Sequence, residues 1–171
     1  VQTCALPIWP GNVLHGGKRQ PQPRLDTLCD AWCLHLAACA SGASTTSVLL
    51  GLDGVVHLRP LAPADAQDAL RTLLAHWLQA WQAPLIVPRK TACAWLMSMQ
   101  TQEDTDIADD KARKAWEGGY ELDGERQSTP ELQRLARDFD EIAALVHEWA
   151  PRLYGPLLLA AHCGLPTQDA A

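Results

Sequence analysis

The stretch STTSVLLGLDGVVHLRPL at residues 44–61 constrains the fold more than any other part of the chain. Apolar and β-branched runs flank Asp53-Gly54. Asp-Gly between such runs is the strongest short-range signal for a β-hairpin, because both central residues of a type I′ turn need positive φ. Strands are expected over 45–51 and 55–59, and Pro60 ends the second because it has no N–H to donate to a ladder. The flanking sequence carries helical spacing. The expected class is therefore α+β, mainly helical with one β-hairpin.

Before the hairpin, residues 9–23 are punctuated by Pro and Gly and read as loop. Leu25, Leu28, Trp32, Leu36 and Cys39 then fall on one helical face, which predicts a helix over 24–40 with Gly42 just beyond its end. After the hairpin, Pro63 suits a first helical turn, and Asp65 and Asp68 suit its positive end. Leu70, Leu73, Leu74, Trp77, Leu78 and Trp81 form an unbroken stripe, so a helix is predicted over 63–82. A further helix over 90–99 carries Trp95 and Leu96. Residues 101–110 are strongly acidic and read as a solvated loop leading into a helix that ends in KARKAWEGG (111–119), capped by Gly118 or Gly119. Thr129-Pro130-Glu131 is a capped start with Pro in the first turn. Leu132, Leu135, Phe139, Ile142, Val146, Trp149 and Leu153 alternate by three and four. Pro151 interrupts that run and only three heptads are present, which favours a core-facing helix pair over a coiled-coil strand.

The chain divides by charge. Residues 1–100 hold seven Lys/Arg against five Asp/Glu, a net of +2, and residues 101–171 hold seven against fifteen, a net of −8. The total of −6 argues against a general nucleic-acid coat protein, and any phosphate contact belongs to the first half. The basic cluster there is Lys18, Arg19 and Arg24, which read as weak DNA or acidic-partner contacts or as a solvated loop. No run of apolar residues is long enough for a transmembrane helix, and no secretory signal is read at the start. Six Cys in 171 residues are too few for a disulfide scaffold and suit a reducing cytoplasm.

Catalytic patterns are thin. There is no G-x-S-x-G elbow, no Walker A sequence and no G-x-G-x-x-G loop. Cys29, Cys33, His35 and Cys39 tempt a metal assignment. At about 100° and 1.5 Å per residue, however, Cys39 lies about 15 Å along the helix from Cys29 and on its other side, so four ligands do not converge. These cysteines read as small buried apolar groups. His57 has no partner identifiable from sequence, and His76 and His147 read as ordinary helical histidines. A Mg²⁺-dependent nuclease would need an Asp and an (Asp/Glu)-x-Lys pair on adjacent strands. The second strand, Val55-Val56-His57-Leu58-Arg59, has no carboxylate, and Asp109-Asp110-Lys111 is the one such match, off the strands. No catalytic, cofactor or metal residue is assigned. Trp77, Trp81, Trp95 and Trp149 lie on apolar stripes and are expected to be core rather than base-stacking platforms.

Taken together, DGVVHLRPLAPADAQ (53–67), LLAHWLQAWQAPL (73–85), TACAWL (91–96), KARKAWEGG (111–119) and LYGPLL (153–158) resemble, in order and spacing, the C-terminal region of RecC, the gamma subunit of exodeoxyribonuclease V. The resemblance runs from about residue 17 to 161, while 138–148 and the tail after Ala161 depart from it. It implies a degenerate restriction-endonuclease-like domain that has lost its catalytic carboxylates, in a non-catalytic subunit. Such a subunit guides DNA ends and unwound strands, and scaffolds RecB-like and RecD-like partners in double-strand-break repair. The competing readings are an active nuclease with carboxylates upstream of a truncation, and a free-standing helical adaptor. Residues 1–8 (VQTCALPI) resemble a translated sequencing adapter, and Val1 in place of Met suggests a truncated frame. The expected organisation is a disordered or artefactual segment over 1–23, the RecC-like domain over 24–162 and a tail over 163–171.

Overall fold

A computed structural model describes residues 2–5, 11–15, 21–119 and 122–165. The chain divides into two compact units, one formed by Val1–Leu74 with Pro156–Ala171 and the other by Ala75–Gly155.

The first unit is α+β. Helix α1 (Leu25–Ala40) buries Leu25, Leu28, Trp32, Leu36 and Cys39, the row that the sequence spacing selects. It stops where Gly42, at φ 90°, donates its N–H to the Cys39 carbonyl, a left-handed residue that glycine adopts without steric cost. Strands β4 (Thr45–Leu50) and β5 (Val55–Leu58) form the expected hairpin, pairing Leu50 with Val55 and Ser47 with Leu58. The turn differs from expectation. Gly51 N–H bonds the Gly54 carbonyl, which puts Leu52 and Asp53 at its centre. Among the described residues Glu103 is the one non-glycine at positive φ, so Leu52 and Asp53 are not left-handed and the turn is not type I′. The physical reason is at Asp53, whose two carboxylate oxygens accept the Val13 and Leu14 amides at 2.8 and 3.0 Å. That bond holds the tip in another shape.

Sequence patterning found only two of the strands. Gln2–Ala5, set aside on sequence grounds, form β1 parallel to β4, and Ala161–Cys163 form β6 antiparallel to β5. The sheet order is β1-β4-β5-β6. Leu14–His15 (β2) and Gln22–Pro23 (β3) make a separate two-stranded ribbon. Leu49, Val56, Leu58 and Ala161 are buried apolar residues of the sheet, and Thr45, Thr46 and Ser47 of β4 are buried with them, Ser47 beside His35 of α1. The first part of α2 (Pro63–Ala80) and the last residues of α7 (Ala143–Ala160) also belong to this unit.

The second unit is helical. It holds the remainder of α2 and α7, with α3 (Arg89–Gln102), α4 (Thr105–Glu117), α5 (Glu125–Ser128) and α6 (Pro130–Leu135). Trp116, Phe139, Ile142 and Val146 are fully buried, with Trp95, Leu96 and Trp149 close to it. The acidic run expected as loop is mostly helix. Glu103 ends α3 in the left-handed region, Asp104 caps α4 by accepting the Asp106 and Ile107 amides, and Asp106, Asp109 and Asp110 lie on the helix. The 132–153 run forms two helices, α6 and α7, with a break between them. Ala136 is extended, Asp138 accepts the Glu141 amide, Glu141 accepts that of Arg137 and Glu117 that of Phe139. Side chains have captured backbone donors that a continuous helix would need. Leu135 is consequently exposed. Thr129 precedes the expected Pro130 start without a side-chain cap bond.

Candidate interaction surface

Arg24 is the one member of the basic cluster within the described residues; Lys18 and Arg19 lie outside them. The Arg24 carbonyl receives Thr27 Oγ1 at 2.8 Å, and its guanidinium meets buried Asp26 at 3.2 Å. Arg24 is therefore built into the start of α1, with its charge already answered.

The hairpin tip is equally committed to structure. Desolvation works to raise the Asp53 carboxyl, but the Val13 and Leu14 amides, its own amide and the Arg24 charge outweigh it and hold the group below its ordinary range. Neither β4 nor β5 carries a carboxylate. The acidic-x-Lys match lies on α4, where Asp109 Oδ1 accepts Trp95 Nε1 at 2.8 Å and meets His147 Nε2 at 2.7 Å. His147 also stacks on Trp95, with ring centroids 5.0 Å apart. Sequence spacing gave no hint that α3, α4 and α7 would bring these three together.

His35 is the buried histidine of the first unit. Its Nε2 lies 2.8 Å from the Arg59 carbonyl, which can only accept, so this nitrogen carries the proton and Nδ1 accepts from Ser47 Oγ at 2.9 Å. Desolvation lowers its pKa against the opposing pull of that carbonyl. The Cys29–Cys39 set does not converge: Cys39 is buried beside His35, Cys29 is half-buried, and Cys33 is exposed, contrary to the expectation of buried apolar cysteines. Among the described residues no three His, Cys, Asp or Glu side chains group as metal ligands.

The largest departure from expectation is on α2. Its helix forms as the stripe predicts, and Trp95 and Trp149 elsewhere are core as expected. Leu70 and Leu73 of the α2 stripe are half-buried, but the rest of it faces outward. Leu74, Trp77 and Leu78 are 58, 57 and 58% exposed and Trp81 is 75% exposed. Ala66 and His76 are the buried positions, and the His76 ring packs edge-on to Trp149 at 4.0 Å. Trp77 and Trp81 make an edge-to-face pair at 5.8 Å. From Leu73 to Pro88 the sequence has no Asp, Glu, Lys or Arg. Periodicity reveals a stripe without revealing what covers it, which is why sequence reading placed these tryptophans inside.

These features define an α+β protein with a helical unit whose most conspicuous exposed chemistry is aromatic and uncharged. Residues 11–100 match the RecC C-terminal domain family, and the chain belongs to that family. It is also 35% identical over 120 residues to the RecBCD enzyme subunit RecC of Escherichia coli (strain K12), an alignment covering 58% of this chain. The chain spans 11% of the length of that relative. No helix among the described residues is long and apolar enough to cross a membrane.

Proposed function

We propose that this chain is the C-terminal part of a RecC-like subunit of a cytoplasmic RecBCD-type helicase–nuclease, exodeoxyribonuclease V, acting in double-strand-break repair. Its own role is non-catalytic: it scaffolds RecB-like and RecD-like partners and helps to shape the path of the DNA. On this reading the domain descends from a restriction-endonuclease-like fold whose hairpin has lost its metal-binding carboxylates. Asp53, the acidic residue nearest that position, is used to tether the hairpin tip.

The observation that carries the reading is the α2 face. Exposed contiguous apolar patches mark interaction sites, and tryptophan is enriched, and charge depleted, at protein–protein interface cores. A face for the phosphate backbone would carry Lys or Arg. Trp77 and Trp81 therefore suit a protein partner. Each acting as an anchor worth about 2 kcal/mol or more, the pair contributes about 4 kcal/mol, roughly a thousandfold in affinity. The test is co-purification of the full-length subunit carrying W77A/W81A with its RecB-like and RecD-like partners. Loss of the complex with an unchanged circular dichroism spectrum is expected; assembly at wild-type yield would defeat the proposal. Purified chain is also expected to show no Mg²⁺-dependent DNA cleavage, and cleavage abolished by D53N would establish the nuclease reading instead.

A further inference from the structure

One described cation of the first unit has no partner. Asp26 holds Arg24 at 3.2 Å and Asp68 pairs with Arg71, whereas Arg59, exposed just past β5, makes no ion pair among the described residues. Its backbone is fixed on both sides. The Arg59 N–H donates to the Ala160 carbonyl at 3.0 Å, and the Arg59 carbonyl receives His35 Nε2 at 2.8 Å. The side chain therefore starts from a rigid point, which lowers the cost of ordering it on a ligand. Strand alternation puts His57 on the same face, about 6.7 Å away along the chain, while Val56 and Leu58 are buried on the other. His57 Nδ1 lies 2.9 Å from the Gly164 carbonyl, which only accepts, so Nδ1 carries the proton and Nε2 is left to meet a ligand. In the imidazolium form Nε2 donates as well.

No opposing charge stands on this sheet. None of the strands β1 to β6 carries Asp or Glu. Beside His57 are uncharged Val48 of β4 and His162 of β6, the latter with its ring centroid 5.5 Å away. Burial first, then the Arg59 and His57 charges, lower the His162 pKa, and no carboxylate works against them. Two donors on a rigid strand, with no acid among them, suit an anion that offers several acceptor oxygens. The planar guanidinium fork matches phosphate in that respect. We infer that Arg59 and His57 form a contact site for the phosphate backbone of DNA. The inference rests on the reading that this chain lies along the DNA path, and adds to that path a contact outside the Lys18, Arg19 and Arg24 cluster. Such a contact fixes the position of a strand without reading its bases.

The test is fluorescence anisotropy of labelled single-stranded and duplex DNA with the 171-residue chain, across a salt series starting low. R59A is expected to weaken binding about fivefold or more, equally for different base sequences, and to lower the log–log salt slope by about 1. H57A is expected to weaken it roughly twofold or more. R71A, whose charge Asp68 already answers, is expected to bind like wild type. A larger loss on single strands assigns the site to an unwound strand, and a larger loss on duplex assigns it to the intact end. No wild-type binding, wild-type affinity in R59A or H57A, or an equal loss in R71A would overturn the inference. So would an R59A subunit that keeps its DNA affinity but loses its RecB-like or RecD-like partner, because the site would then meet an acidic protein surface. W77A/W81A tests the scaffold reading separately, so wild-type DNA affinity in R59A removes this site and leaves that reading standing.

Discussion

Replacing Glu125 offers a sharp test of how the helical unit is held together. Helix α3 begins after Pro88, which has no capping side chain, so its first free N–H donors need acceptors from elsewhere. Glu125, 8% exposed, supplies them: Oε1 accepts the Lys90 amide at 3.0 Å, and Oε2 accepts the Thr91 amide at 2.8 Å and the Thr91 hydroxyl at 2.9 Å. The carboxylate also sits at the positive end of the helix dipole. Glu125→Ala removes three hydrogen bonds to a charged group and leaves two amides without an acceptor in a largely dry setting. A loss of about 3 kcal/mol follows, since an unsatisfied buried donor costs about 1–3 kcal/mol and the other terms partly overlap. Glu125→Gln keeps one acceptor oxygen but turns an NH₂ toward donors, so it is expected to fall between Ala and wild type. In a chain of this size 3 kcal/mol lowers Tm by roughly 6–12 °C. Urea unfolding is the assay. An Ala variant with an unchanged midpoint and m-value would refute the reasoning.

Three further outcomes follow. Desolvation lowers the pKa of His35 below its ordinary 6.5, with His76 and His162 shifted the same way. The unfolded chain then takes up protons that the folded rings refuse, so stability is full above about pH 6.5 and falls below it, with a limiting slope of about 1.4 kcal/mol per pH unit for each ring. Urea midpoints at pH 7.5 and 5.5 test this, and a flat profile would contradict it. A Cβ on Gly124 would meet the Trp116 carbonyl oxygen at 2.2 Å and the Gly118 nitrogen at 2.4 Å, whereas one on Gly119 meets nothing within 4 Å. Gly124→Ala should therefore cost about 1–3 kcal/mol or more and Gly119→Ala little, read by the same unfolding assay. Replacing Lys18, Arg19 and Arg24 together should weaken DNA binding and flatten its salt dependence, with Arg24→Ala alone contributing least because Asp26 already holds that side chain. Unchanged affinity in the triple variant would remove the basic cluster from the DNA path.

What the sequence made legible was local. The α1 row, the hairpin and the Gly42 stop each depend on spacing or on one residue's conformational range, and each is found in place. What it hid was tertiary. Glu125 lies more than thirty residues from the amides it accepts, and Asp53 is about forty from its own. Neither has a local signature. The break at 136–142 arises because Glu117, Asp138 and Glu141 compete for backbone donors, which apolar periodicity does not register. Strands β1 and β6 are short and take their pairing from β4 and β5, not from any pattern of their own. The α2 stripe shows the limit most clearly, since a helix with one apolar face looks the same whether that face meets its own core or another protein.

Hydroxyl-radical footprinting of Trp77 and Trp81 tests the scaffold account most directly, comparing the isolated subunit with the assembled complex. Both indoles should oxidise readily in the isolated subunit and become strongly protected on assembly with the RecB-like and RecD-like partners, while Trp95 and Trp149 stay protected in both. Equal oxidation of Trp77 and Trp81 in the two states would show that no partner covers this face.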